Sequence, residues 1–187
     1  MRYESQQKAQ TRERIVRTAS RKLRAEGLNG AGVESVMRAS GLTVGGFYKH
    51  FRSKDELLAD AIAQGFADSN EKLRSALQYI PYKDKWKQLV RSYLSLEHCN
   101  HPEDGCTLAT LAPEIARAKM SIRKRISASM KEWVEIMPGV DAEERNRNLL
   151  IIYSAMVGAL SVARILVEPA DKRKVLDGMR DHLLNSF

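Results

Sequence analysis

Cysteine is scarce: the 187 residues hold two, Cys99 and Cys106. So few thiols exclude a disulfide scaffold. Met1 to Gln10 is polar and carries no apolar run, which together with the cysteine count points to a reducing cytoplasm. No stretch alternates apolar and polar residues at the period of a strand, and no segment repeats or is of low complexity. That argues against a sheet or a solenoid. There is no Gly-rich phosphate loop after a strand, no nucleophile elbow and no helical His-Glu-x-x-His. The enzyme chemistries built on those motifs have no footing here, and neither a metal nor a cofactor is expected.

Positive charge, by contrast, is abundant and unevenly placed. The chain carries +8 with a pI of about 9.6. Residues 1–54 hold 12 Lys/Arg against 4 Asp/Glu, and the remaining 133 hold 19 of each. All of the excess therefore sits on one short segment. A scattered solubility charge would not partition this way, whereas a phosphate backbone rewards such concentration through counterion release. The expected partner is double-stranded DNA.

Residues 33–57 give that partner a reading device. Val33, Val36 and Met37 form one helical face. Gly41 supplies a position for positive φ that stops the helix. Thr43 is placed to cap the next helix with its hydroxyl. That helix is barely two turns long and needs anchoring, which Phe47 and Phe51, four residues apart, provide on one side. Tyr48, Lys49 and His50 are left for the other side. A short anchored helix after a tight turn suits a major groove. Ser53-x-x-Glu56 is a capping box that starts a further helix, whose free N–H groups beside Lys54 suit a phosphate.

Residues 8–68 resemble the DNA-binding domain of the TetR family of bacterial transcriptional repressors. The resemblance rests on Ile15, Ala19 and Leu23 ahead of Gly27, and on Val33, Val36, Ala39 and Gly41. It rests above all on Gly46-Phe47-Tyr48-Lys49-His50-Phe51 followed by Ser53-Lys54-Asp55-Glu56-Leu57. It implies an all-α protein of about nine helices, a homodimer, and a C-terminal domain that senses a small molecule and then releases DNA. The DNA-contact set is accordingly Thr43, Val44, Gly45, Gly46, Tyr48, Lys49, His50 and Lys54. The chain departs from the family pattern at Ala31-Gly32, where a hydroxyl cap is usual, and at Val44, where Lys or Arg is common. Val44 suits a thymine methyl instead of a phosphate.

The chain divides near residue 68 into a DNA-binding domain, with its helix-turn-helix at about 31–50, and a sensing and dimerisation domain of 69–187. One long helix, about 54–79, belongs to both and ends before Pro81. Further helices are expected over 84–99, 106–112, 113–136, 142–167 and 171–185. Leu149 to Val167 is 19 residues long with one charge, Arg164, which borders on a membrane span. Ser154, Ser161 and Arg164 interrupt it, so it reads as a helix buried on both sides. No membrane is expected. Small residues recur in it at helical spacing. The association surface is therefore placed at Ala155, Gly158, Ala159 and Val162, with Leu176, Met179 and Leu183 of the last helix.

Sensing residues are harder to read. His98, Cys99, His101 and Cys106 lie within nine positions, but their spacing matches no common metal motif, and Pro102 and Gly105 suggest a loop. Cys106 follows Gly105 at a helix start, where the dipole favours thiolate and an oxidant or electrophile role. Trp86, Tyr93, Trp133 and Tyr153 are the aromatic candidates for a ligand cavity. Three functions follow: a repressor released by a partly hydrophobic small molecule, a redox or electrophile sensor acting through Cys106, or a ligand-independent architectural DNA binder.

Overall fold

A computed structural model describes residues 2–187, with side chains for 6–28, 31–124 and 126–187, and every regular element among them is helical. Helix α1 (Arg2–Gly30) breaks at Gly27, where φ is 68° and ψ is −163°. Helix α2 (Val33–Ala39) follows, started by Gly32 without a side-chain cap and ended by Gly41 at φ 71°. The reading segment Val44–Lys49 is 3₁₀ rather than α-helical. It closes i to i+3: the Gly46 N–H donates to Thr43 O at 3.1 Å and the His50 N–H to Phe47 O at 2.9 Å. With two adjacent glycines and only six residues, little favours the wider turn. Thr43 occupies the cap position, but its hydroxyl makes no cap bond, contrary to expectation.

Helix α3 (Lys54–Leu77) begins at the expected Ser53 cap, but the return bond from Glu56 reaches one residue before the cap. Ser53 Oγ accepts the Glu56 N–H at 3.2 Å, and Glu56 Oε2 accepts the Arg52 N–H at 2.8 Å. The helix expected over 84–99 is two: α4 (Lys85–Tyr93) and α5 (Leu96–Asn100), split at Leu94, with Ser95 capping the second. Helix α6 (Thr107–Arg117) runs through Pro113, where a break was expected. Pro113 has no N–H for the Ala109 carbonyl. The Ser161 hydroxyl stands 3.1 Å from that oxygen, and the distortion is absorbed at Leu111. The break falls instead at Ala118–Lys119, before α7 (Met120–Lys131). Helices α8 (Ala142–Ile165) and α9 (Pro169–Ser186) complete the chain.

Two apolar cores result. The first gathers Ile15, Leu23, Val36, Phe47, Phe51 and Leu57, all within 2% of complete burial. Leu111, Ile115 and Ile126 of α6 and α7 join it, so those helices lie against the reading unit. The second is built on Leu94, Ile152, Met156, Leu160 and Leu176. Helix α3 serves both, with Leu57, Ala61 and Phe66 in the first and Leu77 in the second. Helix α8 is long and apolar enough to cross a membrane by length and composition. It is not buried on both sides, as its sequence suggested. Ile152, Met156, Ala159, Leu160 and Ala163 face inward, whereas Ile151, Val162 and Ile165 are 48%, 49% and 79% exposed.

Side chains of α1 and α6 close on α3 at Gly65. A Cβ there would lie 2.4 Å from Thr107 Oγ1, 2.5 Å from Arg24 Nη1 and 3.1 Å from Ser20 Oγ. Arg24 is 2% exposed and donates to Ser20 Oγ at 3.0 Å and to Glu103 O at 2.8 Å. Adding one methyl at this crossing overpacks it. Gly65→Ala is expected to destabilise the fold by about 1–3 kcal/mol, although alanine is the better helix former. Urea unfolding checks this, and an unchanged or raised midpoint would contradict the packing described.

Candidate nucleic-acid interface and effector cavity

The reading face is built from behind. Phe47 and Phe51 are each 2% exposed and stack at 5.5 Å, which fixes the 3₁₀ segment on its core. The Tyr48 ring meets Phe47 edge-on at 5.2 Å and is left 80% exposed. Thr43, Val44, Gly45, Lys49 and Lys54 are exposed with it. Gly46 and His50 are only half-buried. Burial, and next Lys8, Arg12 and Lys49, hold the His50 pKa below its ordinary value.

Arg12 ties this face to the helices behind it. Its guanidinium meets Glu56 Oε1 at 3.1 Å and Asp60 Oδ2 at 2.5 Å, and Nε donates to His50 O at 3.4 Å. It also lies 4.7 Å from the Phe51 ring centroid. One side chain of α1 thus holds the end of the reading segment and the first two turns of α3. Nothing in the local sequence marks Arg12 for this, because its partners lie 38 to 48 residues away.

A cavity of about 270 Å³ lies behind the C-terminal half of α3. Ser69, Asn70, Leu73 and Ala76 of α3 form one wall, and Leu89 and Tyr93 of α4 another. Cys106, Trp133 and Tyr153 close it. Four of the five sensing candidates therefore converge. Trp86 does not: it is 5% exposed within the second core and does not line the cavity. Trp133 Nε1 donates to Asn70 Oδ1 at 3.0 Å, and Asn70 Nδ2 donates to Glu132 Oε2 at 3.1 Å. Tyr153 OH and Cys106 Sγ are 3.5 Å apart. The Tyr93 hydroxyl is buried without a partner. Burial, and next the neighbouring Cys106, push both phenols well above their ordinary pKa, so both keep their O–H.

His98, which falls in the helix expected over 84–99 and among the four potential metal ligands, instead frames the cavity. Its Nε2 accepts the Cys106 N–H at 2.9 Å, so Nδ1 carries the hydrogen and donates to Tyr93 O at 2.8 Å. It thereby joins the end of α4 to the start of α6. Gly105 makes room, since a Cβ there would lie 2.9 Å from the His98 ring. Arg164, visible in the sequence as a lone charge in an apolar run, donates to His98 O at 3.1 Å, Cys99 O at 3.3 Å and Thr110 Oγ1 at 3.1 Å. Cys99 is 3% exposed in the second core, and His101 lies outside beside Glu103 at 3.5 Å. The His/Cys cluster of the sequence is thus dispersed, and no group suited to a metal ion occurs among the described residues.

The residues read as an association surface separate in two. Gly158 and Val162 are exposed and Ala155 and Met179 half-buried, along the same side of α8 and α9 as Ile151 and Ile165. Ala159, Leu176 and Leu183 are buried in the chain's own second core at 4%, 1% and 1% exposure. Those three hold the domain together and are not available to a partner.

Residues 15–61 match the family described as bacterial regulatory proteins, tetR family. The chain is 23% identical over 160 residues to the HTH-type transcriptional regulator LmrA of Bacillus subtilis strain 168, covering 84% of this chain and 82% of that protein. A TetR transcriptional regulator from Chloroflexus aurantiacus J-10-FL superposes with a TM-score of 0.78 at 26% identity, over 96% of this chain and 95% of that one. Reduced NemR from Escherichia coli shares the fold, with a TM-score of 0.74 at 18% identity over 94% and 96%.

Two outcomes follow from this geometry. Lys54→Ala is expected to weaken binding to every DNA sequence and to lower the salt slope by about one unit. Thr43→Ala is expected to cost roughly 1–3 kcal/mol on the preferred sequence and little elsewhere. Salt titrations of specific and random duplexes separate the two. The second outcome concerns pH. Burial, outweighing the bond to Tyr93, holds the His98 pKa below its ordinary value. The unfolded chain binds that proton at about pH 6.5 and the folded chain only below it. Stability from the neutral ring is therefore complete above about pH 6.5 and falls as pH drops through and below that value. Urea unfolding between pH 7.5 and 5.5 should show this loss, and His98→Gln should reduce it.

Proposed function

Because this chain belongs to the tetR family of bacterial regulatory proteins, we propose that it works in the cytoplasm as a dimeric repressor, released from a palindromic operator when a small molecule fills the cavity beside α3. It is a DNA-binding transcriptional regulator and not an enzyme. Residues 8–68 are the reading head, and 69–187 are the sensing and pairing body.

One observation carries this reading: the same helix is a core element of the head and a wall of the cavity. Leu57, Ala61 and Ile62 of α3 pack behind the reading segment. About two to four turns beyond Ile62, Ser69, Asn70, Leu73 and Ala76 face the cavity. A rigid helix that tilts to admit a ligand carries the head with it. A second link runs in parallel. Arg24 of the head holds the Glu103 carbonyl, and the next residues, Asp104 to Cys106, line the cavity. The ligand must favour the DNA-free arrangement, and by the same factor DNA must weaken the ligand. Turning 99% occupancy into 1% takes a preference of about 10⁴. The cavity is smaller than the ~300–1,000 Å³ of drug-sized sites and mostly apolar, which favours a small, partly hydrophobic effector. An architectural binder has no use for such a space.

Pairing falls to the exposed side of α8 with α9. Ile151, Val162 and Ile165 form an apolar row, and Gly158 offers open space where a second backbone can approach. Two heads held this way suit half-sites about one helical turn, ~34–36 Å, apart or a little more. Val162→Glu is expected to give a monomer with an intact fold and to lose most operator affinity, whereas Ala159→Glu would damage the protomer itself. Sedimentation and fluorescence anisotropy with a palindromic duplex measure both. A Val162→Glu protein that stays dimeric would move the pairing surface elsewhere.

A further inference from the structure

We infer that the effector of this cavity is an uncharged, aromatic-sized molecule bearing a hydrogen-bond acceptor, such as a carbonyl oxygen, held by the hydroxyl of Tyr93. The inference rests on the reading of the cavity as the effector site and adds the class of ligand it takes.

The wall excludes charge. The ionic side chains at the cavity are Lys72 and Asp104 at its rim, 60% and 41% exposed, and they neutralise each other at 3.6 Å. Asp104 is further engaged by Arg21 at 3.4 Å. No free charge of either sign therefore faces the interior among the described residues. A carboxylate or ammonium entering it would surrender its hydration without a counter-ion.

The wall also has its polar groups largely spent. Asn70 gives its oxygen to Trp133 and an N–H to Glu132. Both His98 nitrogens are engaged. The Ser69 hydroxyl donates to Gly65 O at 2.8 Å, and the Ser92 hydroxyl to Gln88 O at 2.8 Å. Tyr153 and Cys106 pair with each other. Asn70 keeps a second N–H, and one hydrogen of the Tyr153–Cys106 pair is unspent, but among the described lining groups only the Tyr93 hydroxyl is buried with no partner at all. The residue is 8% exposed, its hydroxyl has no partner, and its raised pKa keeps it a donor. A buried donor left without an acceptor is costly, and a ligand oxygen relieves that cost. The volume, worth roughly nine waters, and the rings of Tyr93, Trp133 and Tyr153 suit a one- or two-ring aromatic body.

A matched set of probes tests this: naphthalene, acetylnaphthalene, naphthoate and naphthylmethylammonium, titrated into the full-length protein by calorimetry and Trp fluorescence. Acetylnaphthalene is expected to bind about tenfold more tightly than naphthalene, and the two ions more weakly than naphthalene. Tyr93→Phe should abolish the tenfold advantage while leaving naphthalene affinity unchanged, which also shows that the variant is folded. Tightest binding by either ion, or equal loss of both neutral probes in Tyr93→Phe, would overturn the ligand class while leaving the cavity as the effector site. Failure of all four to bind would overturn the effector-site reading itself, and this inference with it.

Discussion

The close approach at Gly65 is the constraint on which the rest of the structure depends. With no side chain at that position, Arg24 and Ser20 of α1 and Thr107 of α6 can all reach the backbone of α3. Burying the Arg24 guanidinium there lowers its pKa, because desolvation outweighs the help from Asp68. Its hydrogen bonds to Ser20 and to the Glu103 carbonyl make the position tenable. A charge held so firmly leaves little slack. The head and the segment leading into the cavity are joined at a point where neither can slide without disturbing the other. Close-packed contacts of this kind switch between discrete arrangements rather than deform smoothly.

From that crossing the two halves of the molecule acquire different physics. The head is a small apolar core with its outer face left polar and cationic, and Arg12 fastens that face from behind. In the proposed function, this division would let apolar anchorage set the position of Tyr48, Lys49 and Thr43 while their outward groups meet base edges and phosphates. The body is larger, yet it encloses a space. Aromatic rings and a neutral histidine line it, and the hydrogen bonds from His98 to Tyr93 and Cys106 keep α4 and α6 apart. Arg164 does the same work from α8, holding the carbonyls of residues 98 and 99 that end α5.

The exposed apolar side of α8 gives the body its second task. A helix that buries Ile152, Met156 and Leu160 in its own chain and presents Ile151, Val162 and Ile165 outward is unfavourable alone in water. Under the proposed function, pairing across that surface would remove the penalty and set the distance between two heads, so that sensing and pairing would share one helix, as sensing and reading would share α3.

Much of this was legible in the sequence because it is local. The glycine stop at Gly41, the Phe47–Phe51 anchor and the Ser53–Glu56 capping box are decided within a few residues by backbone geometry and hydrogen bonding. The concentration of charge before residue 54 needs no structure at all. The helical form of the reading segment was not legible in detail, because two glycines and a short length leave α and 3₁₀ close in energy. Pro113 misled for a tertiary reason: its orphaned carbonyl is met by Ser161, 52 residues away. Likewise, small and apolar residues of α8 and α9 look alike in sequence. Only packing decided that Ala159, Leu176 and Leu183 turn inward while Gly158 and Val162 stay outside. The cavity was the least legible feature. Its members come from four helices and two loops, and an empty space is set by what distant side chains fail to fill. The sequence alone determined the all-helical class, the stop at Gly41, the start of α3 at Ser53 and the concentration of positive charge before residue 54, because each is local or compositional. The tertiary structure decided which aromatic groups share a wall, which charges are neutralised, and that the Tyr93 hydroxyl is left there without a partner, because each depends on side chains far apart in the chain.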